Sequence, residues 1–176
     1  MLAEAFALLH ARRPATRLLI VGDGPERKNL MADLARRRLE EAAVLTGAVP
    51  PTEVPALLAS MDVAVAPYPP LEQFYFSPLK VYEYMAAGLA VVASRIGQLE
   101  KLIEPQADGL LVAPGNAAEL ALALDWLAQN PEVRARLGCT ARRKVLLHHT
   151  WDAVAERIFD LAGQQHAALS GSPVTT

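Results

Sequence analysis

Five short runs of almost uninterrupted apolar residues, at 18–21, 44–46, 63–66, 90–93 and 110–112, constrain this chain most. A strand with one wet face alternates apolar and polar residues, whereas a strand covered by helices on both faces does not. Between these runs lie helical stretches near 3–12, 26–38, 52–60, 78–87, 98–104 and 116–129. Strands alternating with helices over short connections predict an α/β fold with a doubly wound, Rossmann-like parallel sheet. The last third is helical. Pro131 opens one helix, and Thr150 caps another in which Trp151, Val154, Ala155, Ile158 and Leu161 form an apolar stripe. Residues 1–165 are expected to form one domain, and 166–176, closing on "SGSPVTT", a disordered tail.

Composition narrows the partners. The 176 residues suffice for one full hydrophobic core. A formal net charge of −2 argues against a general nucleic-acid or membrane-surface binder. Cys139 has no second cysteine to pair with, which fits a reducing compartment, and no apolar run approaches the ~20 residues of a membrane span. A cytoplasmic location is expected. His148 and His149 have no Cys, Asp or Glu at metal-ligand spacing and are read as surface residues. No Ser-His-Asp arrangement or metal site emerges.

In open parallel sheets, ligands bind outside the carboxyl ends of the strands. The loops there are "GDGPE" (22–26), "TGAVPP" (46–51), "PYPPLEQFYFSP" (67–78), "SRIGQ" (94–98) and "APGN" (113–116). The longest leads into "FSPLKVYEYMAAG" (76–88), a helix with a marked start and stop. Ser77 is placed to cap it, Pro78 has no amide hydrogen to leave unpaired, and Gly88 can stop it in a left-handed conformation. Lys80 sits where the helix dipole is already positive, beside the amides of Leu79, Lys80 and Val81. Such an end favours phosphate. Glu83 follows Pro78 by five residues, ~7.5 Å along the axis at about 1.5 Å per residue, within reach of a ribose attached to that phosphate. An i,i+3 pair of Lys80 with Glu83 on a wet face, worth ~0.2–0.5 kcal/mol, fits the same spacing. "GDGPER" is not the G-x-G-x-x-G fingerprint, since its third glycine is absent.

Five segments in order resemble one family: "LLIVGDGPERKNL", "VLTGAVPPTEVPALLASMDVAVAPY", "FYFSPLKVYEYMAAGLAVVAS", "DGLLVAPGN" and "TWDAVAERI". They resemble the C-terminal, donor-binding half of the family-four (group 1) retaining glycosyltransferases of GT-B fold. The resemblance implies a nucleotide-diphospho-sugar donor of UDP, GDP or ADP type, retention at the anomeric carbon, and no cofactor or obligatory metal. Glu83 matches the ribose-binding second glutamate of the family's two-glutamate motif. Ser77, Pro78 and Leu79 match the backbone that meets the sugar and diphosphate. Gly22 and Gly24 match a glycine turn near the nucleotide, and Gly47 one near the base.

Two departures accompany the resemblance. The first glutamate of the motif falls on Tyr75, with Glu72 three residues too early, while Gln98 and Lys101 replace a family glycine and glutamate. The resemblance also implies an N-terminal acceptor domain and a first strand, bearing a diphosphate-clamping Arg and Lys, ahead of "LAEAFALL". Two such charge-assisted hydrogen bonds, at ~1.5–3 kcal/mol each, correspond to roughly 10²–10⁴-fold in donor affinity. The isolated chain is therefore expected to be inactive, with an open sheet edge near 18–21 that invites self-association. Alternatives are a free-standing nucleotide-sugar-binding subunit with a separate acceptor-binding partner, a flavodoxin-like regulatory domain, or a GT-B epimerase.

Overall fold

The structure, a computed structural model, describes residues 1–72 and 77–170, with side chains through residue 161. Its strands are β1 (Leu18–Ile20), β2 (Ala43–Leu45), β3 (Val63–Ala66), β4 (Ala90–Ser94) and β5 (Leu110–Val112). The helices are α1 (Leu2–Arg12), α2 (Arg27–Arg36), α3 (Val54–Ala59), α4 (Leu79–Ala86), α5 (Leu99–Leu102), α6 (Ala117–Gln129), α7 (Pro131–His148) and α8 (Trp151–Ser170). Each apolar run became a strand, with no end shifted by more than one residue.

All the pairings are parallel, but the strands form two sheets. β1 pairs with β2, and β3, β4 and β5 pair in that order. The expected single sheet is split between β1 and β3, because apolar patterning fixes which residues extend and not which strands pair. The open edge expected near 18–21 exists, but a cavity lined by β1 and β3 adjoins it.

Strand β4 is buried along its whole length, which accounts for its uninterrupted apolar sequence. Val91 and Ala93 pack with Val81 and Met85 of α4 on one face, while Ala90 and Val92 pack with Leu120 of α6 on the other. Helix α1 ties the two sheets together. Its Ala5 belongs to the β4–α6 cluster, and its Ala3 and Phe6 pack with Leu18 and Leu34. Arg13, just beyond α1, binds Asp125 of α6 and holds that carboxyl below its ordinary range.

Thr150 caps α8 as expected, its hydroxyl accepting from the Ala153 amide at 3.2 Å. The apolar stripe of α8 faces outward, with Trp151 84% exposed and Ile158 61% exposed. Helix α8 is described as far as Ser170, and "HAALS" has no helix breaker before Gly171. Residues 171–176 lie outside the described residues.

Candidate functional site

Helix α4 starts one residue later than its sequence suggests. Pro78, with ψ 42°, is itself the N-cap, and its carbonyl accepts from the Val81 amide (2.8 Å) and the Tyr82 amide (3.2 Å). Ser77 therefore does not cap the helix, and Val81 does not offer a free amide. The amides of Leu79 and Lys80 have no partner among the described residues. The helix closes as a Schellman turn. Gly88 (φ 78°) donates to the Met85 carbonyl, and Leu89 donates to the Tyr84 carbonyl.

The turns after β1 and β2 are tied together. The Gly22 amide donates to the Gly47 carbonyl at 3.0 Å, and both residues have positive φ, 115° and 71°. A β-carbon would be strained at either position. Gly24 bonds only locally: its amide donates to Asp23 Oδ1, and its carbonyl accepts from Arg27. The loop after β3 is anchored by the buried hydroxyl of Ser94, which accepts from the Tyr68 amide (2.8 Å) and donates to the Tyr68 carbonyl (3.1 Å). Lys80 Nζ then lies 4.7 Å from the centroid of the Tyr68 ring, a cation–π distance.

These elements converge on one cavity of about 970 Å³. Gly22 and Asp23 at the end of β1 line it, together with Lys80, Glu83 and Tyr84 of α4. Of the residues expected from sequence, Lys80, Glu83 and Gly22 come together there. Gly24, Gly47, Ser77, Pro78 and Leu79 are not among its lining residues. Tyr75 lies outside the described residues. Lys80 and Glu83 form no ion pair among the described residues, so the surface-pair explanation of their spacing does not hold.

Tyr68, Ser94 and Tyr84 escaped the sequence reading. Burial pushes the Tyr84 phenol above its ordinary range, with the Glu83 carboxylate and then Tyr68 adding to the effect. Tyr84 also lines the cavity. The one hydroxyl in "AVVAS" was the available clue to Ser94, since a polar residue ending a buried strand needs a partner. His149, read as a surface residue, is half-buried with its ring 4.9 Å from that of Tyr82. Among the described residues, no group of three or more His, Cys, Asp and Glu is placed to hold a metal ion. No helix there is long and apolar enough to cross a membrane.

The sequence profile of the family described as "Glycosyl transferases group 1" matches residues 1–130. The chain belongs to this family. Among curated relatives, this group 1 chain is 36% identical over 167 residues to the GDP-mannose-dependent alpha-mannosyltransferase of Mycolicibacterium smegmatis, covering 94% of this chain and 40% of the relative. It spans between 27% and 40% of the length of the curated relatives it matches.

Two solved structures share the group 1 chain's fold. Anabaena Alr3699/HepE in complex with UDP-glucose superposes with a TM-score of 0.80 at 23% identity, over 93% of this chain and 44% of that one. The C-terminal domain of the group 1 family protein LpcC from Francisella tularensis gives 0.72 at 21% identity, over 85% of this chain and 77% of that one. The fold is thus that of a GT-B C-terminal half.

Proposed function

We propose that this chain binds the nucleotide-diphosphate portion of a sugar donor and serves as the donor-binding half of a retaining glycosyltransferase. The observation that carries the reading is the placement of Lys80, Glu83 and the Gly22 turn on one cavity at the start of α4. The amides of Leu79 and Lys80, unpartnered among the described residues, the helix dipole and the Lys80 ammonium supply positive charge for a diphosphate. Glu83 lies one turn deeper and accepts hydrogen bonds from ribose hydroxyls. The Gly22–Gly47 contact fixes the turns beside the nucleoside.

In transfer, negative charge grows on the leaving diphosphate as the anomeric bond breaks. Fixed donors aimed at that charge stabilise the transition state more than the ground state. Lys80 and the α4 amides take this role without an obligatory metal, in keeping with the family resemblance. Tyr84 contributes to the cavity wall beside Glu83. Donors of UDP, GDP or ADP type are the candidates; a mannosyltransferase named for GDP-mannose and a fold relative bound to UDP-glucose support two of them.

Acceptor binding falls to polypeptide outside this chain, whether an N-terminal domain or a separate subunit. The isolated 176 residues are then inactive in transfer. Incubation of the purified chain with UDP-, GDP- and ADP-glucose and a panel of sugar acceptors tests this. No glycosylated product is expected, and sustained turnover would refute it.

A further inference from the structure

We propose that Tyr68 and Ser94 are positioning residues for phosphate recognition: Ser94 fixes the Tyr68 main chain, and the Tyr68 ring holds the Lys80 ammonium at the start of α4. This role rests on the contact between Lys80 and a diphosphate proposed above.

The segment "PYPP" (67–70) is stiff from the outset, since proline fixes its own φ and restricts the residue before it. The ends of two other strands then pin its tyrosine. Ser94, which closes β4 and is fully buried, accepts from the Tyr68 amide at 2.8 Å and donates to the Tyr68 carbonyl at 3.1 Å. Gly115, beyond β5, donates to the same carbonyl at 3.0 Å. Gly115 has φ 76°, and a β-carbon there would stand 3.0 Å from Pro70 Cδ, so Pro70 is seated closely against it. The Tyr68 main chain is thus tied to the carboxyl ends of β4 and β5 at once.

A lysine in the first turn of a helix meets the positive end of the helix dipole, and an exposed lysine side chain samples many rotamers. Lys80 is exposed and sits in that first turn. Its Nζ nonetheless lies 4.7 Å from the Tyr68 ring centroid, where the negative face of an aromatic ring attracts a cation. No ion pair joins it to Glu83 among the described residues.

Holding a lysine with a ring has a consequence for phosphate. A carboxylate anchor would neutralise the ammonium and repel an incoming diphosphate, whereas a ring holds the cation with its charge intact. Lys80 lines the cavity and Tyr68 is not among the lining residues, so the ring acts through Lys80 and not on the ligand. An ammonium already in place loses less conformational freedom when the phosphate arrives.

Two measurements on the 176-residue chain test the proposal. The first needs no ligand. By NMR, the Lys80 ε-methylene protons are expected upfield of those of the exposed Lys28 and Lys101, through the ring current of Tyr68. Tyr68→Phe, which keeps the ring and removes the hydroxyl, should retain that shift. Tyr68→Leu should abolish it, and Ser94→Ala should reduce it. The second compares calorimetric binding of UDP, GDP and ADP with that of the matching nucleosides. Tyr68→Leu is expected to weaken the diphosphate by roughly 2–10-fold, the range for ordering one flexible side chain, and to spare the nucleoside. Tyr68→Phe should bind both as the parent does. Equal weakening of both ligands by Tyr68→Leu, or no upfield shift in the parent, would overturn the proposal. Diphosphate affinity lost in Lys80→Met but kept in Tyr68→Leu would overturn it and leave the donor reading standing. A Lys80→Met variant as tight as the parent, or no nucleotide binding at all, would overturn the donor reading and this role with it.

Discussion

The Gly88 carbonyl oxygen lies 2.0 Å from the point where a β-carbon on Gly138 would stand. Helix α7 therefore crosses the end of α4 in direct backbone contact, and this crossing helps fix the helix that carries Lys80 and Glu83. A glycine inside a helix ordinarily costs ~0.5–1 kcal/mol relative to alanine. Here Gly138→Ala is expected to reverse that sign and destabilise the fold by roughly 1–3 kcal/mol through overpacking. Urea unfolding of both proteins checks this; a more stable variant would show that the contact relaxes without consequence.

Asp108 is buried, accepts from the Glu104 amide at 2.7 Å, and pairs with Lys144 of α7 at 2.6 Å. Removing one partner of such a pair strands the other, at a cost of about 3 kcal/mol. Asp108→Asn is expected to lower the denaturation midpoint clearly, and Asp108→Asn with Lys144→Met to recover part of the loss. A double variant as unstable as the sum of the two singles would contradict the pairing.

The pH dependence of stability has a definite sign at His149. Burial lowers its pKa from the ordinary 6.5, with Arg157, Lys144 and His148 adding repulsion. The neutral ring is favoured in the fold, so this contribution is fully present above pH 6.5 and is lost as pH falls through the lowered folded value. His149→Phe keeps the contact with Tyr82 and removes the proton site. Its stability is expected to fall less than that of the parent between pH 7.5 and 5, and parallel curves would remove His149 from the account.

Lys80 discriminates phosphate from nucleoside. A charge-assisted hydrogen bond to phosphate is worth ~1.5–3 kcal/mol, so Lys80→Met is expected to weaken nucleoside-diphosphate binding by about 10–100-fold. Binding of the corresponding nucleoside should remain unchanged. Equal losses for both would assign Lys80 a structural role through Tyr68 and not a phosphate contact.

The strands were legible because runs such as "AVVA" (90–93) have no polar residue to place on a wet face. Gly88 was equally legible, since only a left-handed turn requires it there. The cap was not. Whether Ser77 or Pro78 ends the helix depends on the ψ of Pro78, which residue type leaves open. The split between β1 and β3 was hidden for a similar reason, because pairing is decided between residues far apart in sequence. Lys80 and Glu83 declared themselves through their unusual order on a helix. Tyr68 and Ser94 meet only after β3 and β4 have paired, and their chemistry appears at that level.

Calorimetric titration of UDP, GDP and ADP into the chain and into Glu83→Ala tests the central claim most directly. Saturable binding of at least one nucleotide, weakened tenfold or more by the substitution in a variant of unchanged fold, is the predicted result. Binding that Glu83→Ala leaves unaltered would contradict a ribose site on α4, and with it the account of this cavity as the donor site.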